Sequence, residues 1–162
     1  ELTIRRNGYL YEMDFPPYEL HEIPVTDAME KAFGVRPIKA VLGLDLVCVF
    51  ESEEVVRTMN PNQELLLGIE GRIQNVTASG IETDCVSRSF CPKLSIAEDP
   101  VCGSAHCQIA AYWSQKLNKK EIYAYQASKR GGYLHCTLQG NDRITISGEA
   151  ALVAISEIVA AL

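Results

Sequence analysis

One long segment, residues 104–117, is apolar on most of its faces and constrains the fold more than any other part of the chain. Gly103 and Ser104 precede it and are residues that commonly begin a helix, so we predict a helix over 104–117. Its apolar residues are Ala105, Ile109, Ala110, Ala111, Tyr112, Trp113 and Leu117. A helix that is apolar nearly all round belongs in a protein interior, so the rest of the chain must surround it.

Short β-rich segments are predicted to surround this helix. Residues 2–6 and 9–14 flank Asn7-Gly8, a strong signal for a tight hairpin turn. Further strands are predicted at 38–44, 46–50, 71–79, 83–90, 122–127, 133–138 and 143–147. The pattern indicates an α+β domain in which strands wrap one buried helix.

Three shorter helical segments and the tail complete the prediction. Residues 26–34 carry a capping threonine and a terminal glycine, 52–59 begin at a capping serine, and 62–67 form a helical turn. The tail from 149 to 162 is ambiguous, because its alanines favour helix while its apolar residues alternate as in a strand.

Composition limits the class of protein. A chain of 162 residues fits one domain, 1–162, and its 47% hydrophobic and 22% charged residues indicate a soluble globular protein. No apolar run approaches the ~20 residues of a membrane span. The net charge of −6 argues against a nucleic-acid surface, which depends on Lys and Arg. A small-molecule partner is therefore expected.

The six cysteines form no CxxC pair, and the three histidines lack the spacing of a zinc module. No metal site is predicted. Because no signal peptide is recognisable, we expect reduced thiols and a cytoplasmic location.

Residues 96–107 gather more potential chemistry than any other segment. They hold two carboxylates, two thiols, a hydroxyl and an imidazole just before the predicted buried helix. Unpaired N–H groups and the helix dipole at Gly103 and Ser104 would favour a bound carboxylate or phosphate. From the residues alone, the favoured interpretation of Asp99 is that it caps local backbone before Pro100, and an acid–base role is the alternative.

Three motifs bring in a family resemblance. SRSFCP at 87–92, EDPVCGSAH at 98–106 and QASKRGG at 126–132 closely resemble, in order and spacing, the C-terminal half of the phenazine-biosynthesis PhzF-like family. Weaker agreement covers 41–61 and 146–148. The resemblance implies one lobe of a diaminopimelate epimerase-like fold, a curved mixed β-sheet around a central helix. It also favours a strand over 150–159.

The resemblance implies a function as well. The full-length protein would be a cofactor-independent isomerase or epimerase that moves a proton on a small carboxylate-bearing substrate. Asp99 would assist the transfer, and Gly103 and Ser104 would bind the substrate carboxylate. The N-terminal lobe, which holds the family's catalytic glutamate, has no counterpart in this chain. We therefore expect the chain alone to be inactive and, with apolar surface uncovered, to self-associate into a homo-oligomer.

Two residues of the motif keep alternatives open. Cys102 matches a catalytic cysteine of diaminopimelate epimerase, and a helix N-terminus should bias it toward thiolate. A thiol-dependent amino-acid racemase is therefore one alternative function, although a packing role for Cys102 is the favoured interpretation. His106 could contact substrate as a neutral imidazole or have a structural role. A further alternative is a binding domain that keeps the fold without the chemistry.

Residues of the other two motifs are also candidates. For Arg88 and Arg130, fixing backbone carbonyls is the favoured interpretation over binding substrate. Gln126 and Ser128 could face the cleft or could pair within the sheet.

Overall fold

The computed structural model describes residues 3–16, 18–140 and 143–157, and in these ranges eleven strands form one sheet. The strands are β1 (Thr3–Asn7), β2 (Leu10–Phe15), β3 (His21–Ile23), β4 (Lys39–Leu42), β5 (Leu46–Val49), β6 (Gln74–Ser79), β7 (Cys85–Cys91), β8 (Ile96–Asp99), β9 (Glu121–Gln126), β10 (Gly132–Gln139) and β11 (Arg143–Glu149). The helices are α1 (Asp27–Phe33), α2 (Glu53–Thr58), α3 (Gln63–Leu66) and α4 (Gly103–Leu117), with a 3₁₀ turn at Pro92–Leu94.

The sheet is mixed, as predicted. Its order is β1-β2-β11-β10-β9-β7-β6-β5-β4-β3, and β8 pairs with β7 beside this path. The pairs β5–β6 and β7–β9 are parallel, whereas the other pairs are antiparallel. The α+β class is therefore confirmed.

The predicted central helix is confirmed as α4, which packs on one face of the sheet. Trp113 is buried and donates from Nε1 to Thr77 Oγ1 of β6 at 2.9 Å. Ile109 and Ala110 are fully buried in the same core cluster as residues from β5, β7, β9, β10 and β11. None of the described helices is long and apolar enough to cross a membrane.

A second core lies on the other face of the sheet, under the three short helices. Phe33 of α1 meets Phe50 edge to face, with ring centroids 5.6 Å apart. The predicted caps are present: Thr26 Oγ1 accepts from Met29 N, and Ser52 Oγ accepts from Val55 N. These helices brace the strands that carry the site.

The predicted hairpin is confirmed, with its turn displaced by one residue. Asn7 pairs with Leu10, so the two loop residues are Gly8 and Tyr9. Gly8 has φ 63°, a conformation that glycine adopts without the steric penalty of a side chain.

The strand predicted for 150–159 is wrong over 150–157, where the chain is neither strand nor helix. Residues 158 and 159 lie outside the described residues. β11 ends at Glu149, where its pairing with β2 ends. A strand needs a neighbour to satisfy its backbone groups, and none of the described strands pairs with 150–157. Leu152, Val153 and Ile155 are consequently 80%, 94% and 88% exposed.

Candidate functional site

The loop from Asp99 to Cys102 leads from β8 into the N-terminus of α4 and forms the centre of the candidate site. Asp99 is half-buried, and its Oδ1 accepts the N–H of Val101 at 3.0 Å. The local capping interaction considered from the sequence is therefore present. Within the described ranges no group donates to Asp99 Oδ2, so one carboxylate oxygen can face a ligand. Capping and a role in chemistry are compatible.

Gln126 holds this loop in place from the end of β9. Its side chain is completely buried, and Nε2 donates to the carbonyl of Asp99 at 2.7 Å while Oε1 accepts from the N–H of Cys102 at 2.7 Å. One amide thus satisfies a backbone acceptor and a backbone donor in the same turn. Of the two interpretations of Gln126, pairing within the sheet is confirmed, because Gln126 pairs with Gly132 of β10 and Ser87 of β7, and its side chain does not open to solvent.

The N-terminus of α4 is only partly covered. Gly103 and Ser104 are both half-buried, and β2 provides an apolar wall beside them. A Cβ on Gly103 would lie 3.6 Å from Met13 Cε and 3.9 Å from Phe15 Cζ. The peptide dipoles of the 15 residues of α4 are aligned, and their positive end lies at this N-terminus. The electrostatics suit an anionic group, and substrate binding by Gly103 and Ser104 stays a prediction.

Cys102 departs from the sequence prediction. Its side chain is 4% exposed, and Sγ lies 3.5 Å from Ser104 Oγ. Burial raises the pKa of the Cys102 thiol, and the hydrogen bond from Ser104 only partly offsets this effect. The predicted bias toward thiolate is therefore wrong, because desolvation of the charged form outweighs stabilisation at the helix end.

His106 is completely buried under the first turn of α4. Its Nδ1 lies 2.8 Å from the Cys102 carbonyl and its Nε2 lies 3.2 Å from Ser87 Oγ. A carbonyl only accepts, so Nδ1 carries the proton and Nε2 accepts from the Ser87 hydroxyl. Burial lowers the pKa of His106 to about 4, which agrees with the predicted neutral imidazole. A direct contact with substrate remains a prediction.

The pKa of His106 predicts how stability depends on pH. Folding lowers this pKa from 6.5 to about 4, so the unfolded chain takes up the proton first as pH falls. The contribution of the neutral His106 to the free energy of unfolding is fully present above about pH 6.5. It is lost progressively as the pH falls toward 4, and the total loss is about 3 kcal/mol. Urea denaturation of the wild type and of His106→Asn at pH 7 and 4.5 isolates it. The asparagine keeps a donor for Cys102 O, and an equal pH dependence of the two proteins would contradict the assignment.

Arg88 and Arg130 differ in their contacts. Arg88 pairs with both carboxylate oxygens of Glu98, at 2.7 and 2.9 Å, and its Nη1 donates to the carbonyl of Met59 at 2.5 Å. Arg88 therefore fixes backbone carbonyls as predicted and ties β8 to the end of α2. Arg130 is exposed and makes no hydrogen bond or ion pair among the described residues. The interpretation that it fixes carbonyls finds no support.

Two buried polar residues of the site region were missed from the sequence. Asn75 of β6 pairs with Ser89 of β7, which pairs in turn with Asp99. Directly paired residues share a face of the sheet, and these two lie on the α4 side, like Ser87 and Thr77. Both are fully buried, and neither the Asn75 amide nor Ser89 Oγ has a hydrogen-bond partner among the described residues. The sequence signal that could have identified them is a polar residue at a strand position that faces the core.

The described side chains include no group of three or more His, Cys, Asp or Glu that could hold a metal ion.

Comparison with known sequences identifies the family of the chain. A sequence model of the family described as "Phenazine biosynthesis-like protein" (PhzC-PhzF) matches residues 10–156. The chain belongs to the PhzC-PhzF family. "Uncharacterized isomerase PA3578" of Pseudomonas aeruginosa is 41% identical over 158 residues, which cover 97% of this chain and 60% of that protein.

Solved structures of PhzF proteins share the fold. A PhzF family protein of Enterococcus faecalis matches with a TM-score of 0.90 at 42% identity. The match covers 94% of this chain and 59% of the Enterococcus protein chain. A predicted epimerase of Pseudomonas aeruginosa, PA4716, has a TM-score of 0.67 at 17% identity, which shows a common fold alone. The chain thus spans about three-fifths of the length of these relatives.

Proposed function

We propose that this chain is the C-terminal lobe of a PhzF-like isomerase or epimerase that works without a cofactor, by acid–base proton transfer on a small carboxylate-bearing substrate. The observation that carries the proposal is the position of Asp99. Its carboxylate is fixed through Oδ1 and leaves Oδ2 available at the loop that enters α4. A general acid or base must hold one geometry while one of its oxygens reaches the reacting proton.

Asp99 suits this role better than Cys102. Burial raises the pKa of the Cys102 thiol, so the thiolate needed to remove a proton is disfavoured. Asp99 is more accessible than Cys102 and is held in place by Val101 and Gln126. The thiol-dependent racemase is therefore the weaker candidate function.

The backbone at Gly103 and Ser104 would hold the substrate carboxylate. The free N–H groups of the first turn and the positive end of the dipole both favour an anion there. Met13 and Phe15 beside Gly103 would exclude water from one side and strengthen that attraction.

The second wall of the cleft would come from an N-terminal lobe. Two apolar surfaces suit such a partner: the β1–β2 hairpin, where Ile4 is 65% exposed, and the segment 150–157. Exposed apolar surface of this kind marks an interaction site. Without its partner lobe the chain is expected to self-associate and to have negligible turnover.

Parallel assays of this chain and of the full-length protein test the proposal. Small carboxylic acids are incubated in deuterated buffer, and loss of the α-proton signal is followed by NMR. We expect exchange with the full-length protein and none above background with the chain alone. Equal exchange rates for the two would refute the two-lobe requirement, and no exchange by the full-length protein with any acid would refute the proposed reaction.

A further inference from the structure

A surface cavity of about 560 Å³ lies beside the segment that carries Asp99. Its lining comes from the end of β8 and from the turn between β9 and β10: Ala97, Glu98, Pro100, Ser128, Lys129 and Arg130. Neither the candidate proton transfer nor the anion site at α4 uses this cavity.

Two cationic side chains, Lys129 and Arg130, line the cavity. Lys129 and Arg130 are exposed, and in the described part of the chain neither has an ion-pair or hydrogen-bond partner. Glu98 also faces the cavity, but both of its oxygens are occupied by Arg88. Among the described residues, two cations therefore remain uncompensated at this point of a chain with a net charge of −6. Such a local excess attracts anions.

The turn that carries the two cations is fixed to the site loop. Ser128 Oγ donates to the Pro100 carbonyl at 2.6 Å and accepts from the N–H of Gly131 at 3.1 Å. Gly132 packs so closely on Val101 that a Cβ there would lie 2.6 Å from Val101 Cγ2. The turn and the loop therefore form one unit, so the backbone bearing both cations is already placed beside Asp99 before a ligand arrives.

We propose that Lys129 and Arg130 form a second anion-binding pocket, which takes a carboxylate or phosphate group. Resting on the proposed function, the pocket would make the enzyme selective for substrates with two acidic groups, one held at the start of α4 and the other between these cations. Arg130 provides the planar donor geometry that matches such groups, and Lys129 adds a point charge.

NMR titration of this 162-residue chain with inorganic phosphate tests the pocket directly. We expect chemical-shift changes at residues 97–100 and 128–132, and affinity about tenfold weaker in the variant Lys129→Gln/Arg130→Gln, because two charge-assisted contacts are lost. The matched control Lys31→Gln/Lys120→Gln removes the same charge at exposed positions outside the cavity. Equal weakening by both double variants, or shifts confined to the first turn of α4, would overturn the pocket.

A second titration, with carboxylates in place of phosphate, tests the two-group preference. Succinate, with two carboxylates, is expected to perturb both 128–132 and 103–105 and to bind about tenfold more tightly than acetate. Equal affinities would overturn the preference. Binding is measured without turnover, so a full-length protein that exchanges no α-proton would refute the proposed reaction and leave the pocket intact.

Discussion

Asp99→Asn in the full-length protein is expected to lower turnover about 10²- to 10⁴-fold, the range that general acid–base catalysis contributes. The asparagine retains an Oδ1 that accepts from Val101 N–H, so the loop keeps its shape. What it loses is the ability to accept and return a proton. The effect should therefore fall on the rate and leave stability almost unchanged.

The measurement compares α-proton exchange in deuterated buffer for Asp99→Asn, Cys102→Ser and the wild type. We expect only a few-fold loss for Cys102→Ser, because its thiol is buried and protonated. Thermal denaturation of each variant checks the fold. A nearly normal Asp99→Asn together with an inactive Cys102→Ser would instead establish the thiol-dependent mechanism.

Gln126→Ala is expected to lower the free energy of unfolding by about 2–4 kcal/mol. The substitution removes both hydrogen bonds that hold the site loop and leaves the Cys102 N–H and Asp99 carbonyl without their buried partner. It also opens space at a position with no exposed surface. Because the same loop carries Asp99, turnover of the full-length protein should fall as well.

Urea denaturation measures the loss, and two variants sharpen it. Gln126→Glu keeps the size and the acceptor for Cys102 N–H but loses the donor to Asp99, so it separates the two bonds. Gln139→Ala is the matched control, because Gln139 is an exposed glutamine on neighbouring β10 and should change stability by no more than about 0.5 kcal/mol. A Gln126→Ala value equal to that of Gln139→Ala would refute the positioning role.

Local sequence rules predicted most of the elements correctly. The capped helices at Thr26 and Ser52, the hairpin around Gly8 and the buried helix α4 all depend on residues close together in the chain. For such elements the deciding interactions are short-range, namely side-chain caps, turn conformations and the spacing of apolar residues.

The tail shows where that reasoning fails. Alternating apolar residues predicted a strand over 150–159, but the part within 150–157 is exposed coil. Periodicity identifies a segment that would fit a sheet, yet a strand forms only where another strand offers its backbone groups. That partner is a property of the tertiary structure.

The sequence by itself determined the family motifs, the central helix and the placement of Asp99, Cys102, Gly103 and Ser104 at the point where that helix begins. Only the tertiary structure decided their chemical states and partners. It buried Cys102 and His106 and gave Gln126 two backbone partners. It also paired Arg88 with Glu98, whereas Arg130 has no such partner among the described residues. The physical reason is that burial, desolvation and side-chain pairing are set by residues distant in sequence, which spacing along the chain does not specify.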